Sequence, residues 1–187
     1  ISTVGTREKI TSGELERMYE LAAEWGVGEF RILSPVASGA AAGCRAFMLS
    51  PEDRKALYDF HVCRNRRGSG PAVAGFAYLE SEDMFGCGGG YHHLFIDAAG
   101  EVCPCDLTPL SMGNACLEPL AEIWARMAKH FALPRTRCLM SHIAGLLTQG
   151  EATLPLPREI SERILSTIPH DGDLPGAYKR LLKPPQQ

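Results

Sequence analysis

Five of the chain's seven cysteines fall between positions 87 and 138: Cys87, Cys103, Cys105, Cys116 and Cys138, with Cys44 and Cys63 standing apart. So dense a run of thiols restricts that part of the chain to a lobe in which sulfur is paired, ligates metal or is buried. An odd number of cysteines argues against a disulfide framework. The opening Ile1-Ser2-Thr3-Val4 lacks the charged start and longer apolar core of a secretion signal, and reads as a strand entered partway, as in a fragment. The expectation is a cytoplasmic protein whose thiols ligate a metal or cluster. Buried free thiols are the plain alternative, since cysteine is among the most buried residue types. Structural zinc is another, because sulfur ligands in a small loop-rich lobe suit it as well.

The spacing sharpens this. Cys87 and Cys105 flank Gly100 as Cys87-x12-Gly100-x4-Cys105, and Cys138 follows at a distance. Residues 91–96 read as a strand, Asp97-Ala98-Ala99-Gly100 as a turn and Glu101-Val102-Cys103 as the returning strand, which together make a hairpin. Thiolates at the mouth of a hairpin can share one cluster while a following helix sets the distance to a later ligand. Gly88, Gly89 and Gly90 let the backbone approach closely and aim N–H groups at sulfur. That helix is expected over residues 117–131, with Leu120, Ile123, Trp124 and Met127 on one face, and a second over 157–168. Strict alternation puts Cys103 and Cys105 on one strand face, and it turns His92 and His93 to opposite faces. His142, shortly after Cys138, is a further candidate donor.

The first eighty residues have a different texture. Thr11 with Glu14 offers a capping box for a helix that ends at Trp25-Gly26, and Glu29–Leu33 follows as a strand. Ser34-Pro35 and the small-residue run 39–43 make a loop. Ser50, Pro51 and Asp53 start another helix, with Ala56, Leu57 and Phe60 as its buried stripe and Arg64 to Arg67 at its solvated end. The apolar run 72–79 reads as one more buried strand. Strands alternating with helices of this length call for a parallel sheet with crossover helices.

A net charge of -3 argues against a binder of nucleic acid or of a membrane surface. No apolar stretch reaches the roughly 18 residues of a membrane span.

Cys87-Gly88-Gly89-Gly90-Tyr91, Leu94-Phe95-Ile96-Asp97, Gly100-Glu101-Val102 and Pro104-Cys105 resemble the opening of the SPASM or twitch domains of radical SAM enzymes. Gly113-Asn114, the segment Leu120-Ala121-Glu122-Ile123-Trp124 and Cys138-Leu139-Met140 resemble its continuation, so the likeness covers about 87–140. Residues 1–82 resemble, less specifically, the later strands of the radical SAM barrel: Ile1–Val4 as its fourth, Phe30–Leu33 as its fifth and Val73–Tyr78 as its sixth. The resemblance implies an α/β fold, with the last strands of a partial (β/α) barrel in 1–82 and a small α+β lobe in 83–187. It implies one 4Fe-4S cluster on Cys87, Cys105 and Cys138. The fourth position is open to Cys103, to Cys116, to a non-cysteine residue, or to substrate or water, and Cys103 is the cysteine taken as its candidate.

For the intact parent enzyme the resemblance implies S-adenosylmethionine, near the Ser34-Pro35 loop, and a peptide or small-molecule substrate. The Cys-x3-Cys-x2-Cys motif that holds the SAM-cleaving cluster in that family is absent from this sequence, as is its glycine-rich second-strand motif. The expectation is therefore a chain that needs the N-terminal half of the barrel as partner and is inactive alone. A zinc-stabilised or metal-free interaction domain without catalysis is the rival reading.

Overall fold

The structure, a computed structural model, describes residues 1–41, 44, 48–147, 154–170 and 172–182. The first half is built on three parallel strands, β1 (Ser2–Val4), β2 (Glu29–Leu33) and β3 (Ala72–Gly75), in the order β1-β2-β3. Thr3 pairs with Ile32 and Phe30 with Val73. Side chains alternate along β2, so Phe30 and Ile32 are buried while Glu29 and Arg31 are exposed. Helices α1 (Arg7–Thr11), α2 (Glu14–Glu24) and α3 (Pro51–Arg67) supply the crossovers. Leu15, Tyr19 and Ala22 of α2 and Leu57 and Phe60 of α3 close a core with Phe30, Ile32 and Val73. The tyrosine stands edge-on to both phenylalanines, at 5.9 and 5.7 Å between ring centroids.

Several local expectations meet a correction here. Thr11 does not cap α2. Thr6 caps a separate first turn by accepting Lys9 N–H, and the Thr11 hydroxyl donates to Arg7 O, so Thr11 closes α1. Ser12 Oγ accepts Glu14 N–H instead. The capping box at Ser50 and Asp53 forms as expected, with both reciprocal hydrogen bonds present. Ala56 is exposed, and the stripe is carried by Leu57 and Phe60 with Asp53. Arg64 is not a solvated helix end: its guanidinium lies 4.6 Å from the Tyr19 ring centroid and pairs with Glu16. Residues 39–41 form a short 3-10 turn, and 42–43 of the expected loop lie outside the described residues.

The apolar run 72–79 is half strand and half helix. Gly75 N–H goes to His61 Nδ1 at 3.1 Å, the strand stops there, and α4 (Phe76–Leu79) turns the chain away. A short apolar run has no period long enough to distinguish the two.

The second half is organised by the hairpin of β4 (Phe95–Ile96) and β5 (Val102–Cys103), which pairs Phe95 with Cys103 and Ile96 with Val102. Asp97 Oδ1 caps its turn by accepting the N–H groups of Ala99 and Glu101. Residues 91–92 form a turn rather than strand, so His92 and His93 do not alternate across a sheet, and both are exposed. Val102 is bonded on both sides to the 112–113 segment: its N–H donates to Gly113 O and its carbonyl accepts Met112 N–H. Helices α5 (Leu120–Met127), α6 (Met140–Ile143) and α7 (Arg158–Thr167) pack over this hairpin. Their core joins Val102, Leu110, Met112, Ile123, Met127, Phe131, Leu139, Met140, Ile143 and Leu165. The first of these helices is shorter than expected because Asn114 O takes the N–H groups of Leu117 and Glu118 and the chain enters the helix through Pro119, which leaves Leu117 and Leu120 exposed. A last helix, α8 (Gly176–Leu181), straps the chain back through Gly176 N–H to Glu82 O and Ala177 N–H to Met84 O. No helix among the described residues is long and apolar enough to cross a membrane.

Candidate metal centre

The site is assembled from three backbone clamps. Cys87 and Arg135 form an antiparallel bridge, with Cys87 N–H to Arg135 O at 2.8 Å and Arg135 N–H to Cys87 O at 3.1 Å. This sets Cys138, three residues further on, against Cys87. Gly90 N–H reaches Pro104 O at 2.9 Å, which draws the Cys87–Gly90 loop onto the residue before Cys105. Cys105 is in turn bridged to Thr108, whose N–H donates to Cys105 O and whose hydroxyl lies 3.1 Å from Cys105 Sγ.

Two glycines make these approaches feasible. A Cβ on Gly86 would lie 2.1 Å from Arg135 O, and one on Gly90 would lie 2.4 Å from the Phe131 ring; both residues have positive φ. Between them, a Cβ on Gly89 would stand 3.6 Å from both Cys87 Sγ and Cys105 Cβ, so the two cysteines face each other across this residue.

All seven cysteines are free thiols. The neighbouring Cys138 thiol first, with N–H groups from Leu139 and Gly89 and the charge of Arg135, pulls the Cys87 thiol down to about 6 against the effect of burial. The Cys87 sulfur, then burial, pushes Cys138 up. Burial raises Cys105, opposed by the Thr108 hydroxyl and the Leu107 N–H. Backbone N–H groups directed at sulfur are how proteins hold and tune iron–sulfur clusters.

The remaining candidates stand elsewhere. Cys103 is buried on β5; burial, then the charges of Asp97, Glu101 and Cys105, pushes its thiol up to about 12, and Leu110 N–H points at it. Cys116 is exposed and sits over the hairpin turn, where its sulfur would lie 2.7 Å from a Cβ on Gly100. His92 Nδ1 is 2.9 Å from the Tyr178 hydroxyl of α8. His142 keeps a buried Nε2 without a hydrogen bond. It lines a polar cleft of about 560 Å³ with Glu82, Asp83, Arg137, Asp173 and Lys179, and none of the cysteines borders that cleft.

Two participants were not visible in the sequence. Arg135 is 4% exposed and supplies both the bridge and a positive charge beside Cys87. Glu80, which ends α4, is half-buried; desolvation, then Cys87, raises its carboxyl to about 7. Among the described residues no three His, Cys, Asp or Glu side chains converge on a point where one metal ion would sit. A cluster makes a different demand, since its ligands bind separate irons and stand around it. Cys87 and Cys105 meet at Gly89, and backbone N–H groups are directed at the sulfurs of Cys87, Cys105 and Cys138.

The hairpin, its glycine loop and the returning Cys138 join one hydrophobic core, in which Val102 is buried and Cys87 and Cys138 are partly buried. Residues 87–139 match the model of the SPASM family, an iron-sulfur cluster-binding domain. The match over this segment is consistent with a SPASM-type auxiliary domain of a radical SAM enzyme. No curated protein and no solved structure matches the chain.

Proposed function

We propose that this chain is the auxiliary-cluster part of a radical SAM enzyme, and that Cys87, Cys105 and Cys138 hold one 4Fe-4S cluster as thiolates. The observation that carries the reading is the meeting of Cys87 and Cys105 at Gly89, with Cys138 brought toward Cys87 by the Arg135 bridge, inside the family match. When bound, the cluster supplies either an iron for substrate or a relay for one electron. The protein's part is to keep Cys87 ionised, to direct N–H groups of Gly89, Leu107, Leu139 and Met140 at sulfur, and to exclude water with the Leu139–Met140 core. Cys103 is the cysteine nearest to a fourth role, through its electrostatic coupling to Cys105.

Residues 1–82 take the place of the last strands of a partial (β/α) barrel, and 83–187 that of the auxiliary lobe. Support comes from the sequential parallel order β1-β2-β3, from the burial of one face of β2, and from two separate hydrophobic cores. S-adenosylmethionine and a peptide or small-molecule substrate belong to the whole enzyme. Anaerobic reconstitution with iron and sulfide tests the reading. A brown protein with about four irons and four sulfides per chain supports it; a colourless protein that takes up stoichiometric zinc instead overturns it.

A further inference from the structure

We propose that His61 is a proton-operated latch: neutral, it holds the end of β3 and the start of α4 against α3, and protonated, it lets them go. The inference stands apart from the cluster reading and needs no metal. Its basis is the outer edge of β3, the last strand in the order β1-β2-β3. Two side chains of α3 lie along that edge. Asn65 Nδ2 donates to Val73 O and Asn65 Oδ1 accepts Val73 N–H, both at 2.9 Å. Four residues earlier on the helix, His61 Nδ1 accepts Gly75 N–H at 3.1 Å, and there the strand stops.

The Val73 pair fixes which way the Asn65 amide points, so its nitrogen, a donor, faces His61 Nε2 at 3.3 Å. Both ring nitrogens therefore look at N–H groups. A neutral imidazole has one acceptor nitrogen. Gly75 takes it at Nδ1, which puts the ring proton on Nε2. An imidazolium has no acceptor in either orientation of the ring, so the Gly75 bond does not survive the second proton. The ring lies flat against Tyr78 of α4, at 4.1 Å and 16°, a face that suits a cation but offers its N–H groups no acceptor. Tyr58 of α3 packs on Tyr78 with its hydroxyl donating to Asp83, and β3 itself carries no titratable side chain.

Burial holds the imidazole below its ordinary value of 6.5. A lowered folded-state value means that the latch is whole above about 6.5 and is lost as pH falls through the folded value. Gly75 is buried, and α4 has no side-chain cap at its start. With the latch open, Gly75 N–H loses its partner, and the four-residue α4 loses the bond that ends the strand before it. This helix carries the chain from the first core to the loop before Cys87, so acid loosens the joint between the two halves at that point.

The test follows the full chain by NMR between about pH 4.5 and pH 8. Ring nitrogen shifts of His61 report its tautomer and its titration. Amide exchange, corrected for the intrinsic rate at each pH, reports the protection of Gly75 and of Phe30 on the central strand. The expected result is an Nε2–H tautomer at the alkaline end, and a loss of Gly75 protection of about tenfold or more with the midpoint of His61, while Phe30 stays protected. H61N sets an amide oxygen near the Nδ1 position and should hold Gly75 throughout. H61F keeps the stack on Tyr78 but accepts nothing, and should leave Gly75 open at every pH. Where a variant fails to fold, the two midpoints in the parent decide. The latch is overturned by an Nδ1–H tautomer, by a His61 that stays neutral across the range, or by Gly75 protection indifferent to its titration. Loss of Phe30 and Gly75 protection together overturns it as well, because that is unfolding of the whole sheet.

Discussion

Cys87 and Arg135 exchange both of their backbone hydrogen bonds, at 2.8 and 3.1 Å, and this single bridge decides that Cys138 lies against Cys87. The bridge depends on Gly86, where a Cβ would press to 2.1 Å on Arg135 O. G86A is therefore expected to open the bridge and to lower iron retained after reconstitution several-fold. G26A makes the control: Gly26 also has positive φ, but nothing lies within 4 Å of its Cβ position. It should cost about 1 kcal/mol from backbone strain alone and leave iron content unchanged. Thermal melts and iron assays on both variants check the contrast.

Asp53 ties the start of α3 to the first half of the fold. Its carboxyl is held below the ordinary carboxylate range by Ser50 N–H first, then by the Arg7 guanidinium. A lowered folded-state value means that its stabilisation is present above the unfolded carboxylate pKa, about 3.9, and is lost as pH falls through the folded value. D53N should flatten the dependence of melting temperature on pH below about 4. S50A should lower stability by about 1 kcal/mol at neutral pH, from the lost cap.

Arg64 stacks near Tyr19 and Phe60, at 4.6 and 5.2 Å from their centroids, and its side chain is 17% exposed. Its contribution comes from packing as much as from charge. R64A is expected to cost about 1–2 kcal/mol, most of it surviving in high salt. R66A, at an exposed position of the same helix, should be neutral. Denaturant melts at low and high salt distinguish the two.

The Cys-x3-Cys-x2-Cys motif is absent from the seven cysteines. Reconstituted protein supplied with dithionite and S-adenosylmethionine should release no 5′-deoxyadenosine above a protein-free control. Turnover above that control would show that cleavage does not need the motif here.

The features legible in the sequence were those fixed by local chemistry. Asp97 and Gly100 announce the hairpin turn, Ser50 and Asp53 the start of α3, and Gly26 the end of α2; each does so through its own backbone bonds. The spacing of Cys87, Gly100 and Cys105 likewise foreshadows which thiols meet, because a hairpin brings its own ends together. What stayed hidden depends on contacts between distant segments. Arg135 carries no sign in the sequence of its bridge to Cys87, forty-eight positions earlier. Glu80 follows an apolar run whose strand and helix readings are equal until His61 captures Gly75 N–H and stops the strand. Leu117 and Leu120 fit a helical face by period, yet Asn114 and Pro119 delay the helix past that face.

The most direct test of the central claim is the iron and sulfide content of seven single Cys→Ser variants after anaerobic reconstitution. The account predicts large losses for C87S, C105S and C138S, with accompanying loss of structure in the lobe that the cluster organises. It predicts near-parent content for C44S, C63S and C116S. Full iron in C87S or C105S would contradict it, and would leave Cys87, Cys105 and Cys138 as partly buried free thiols.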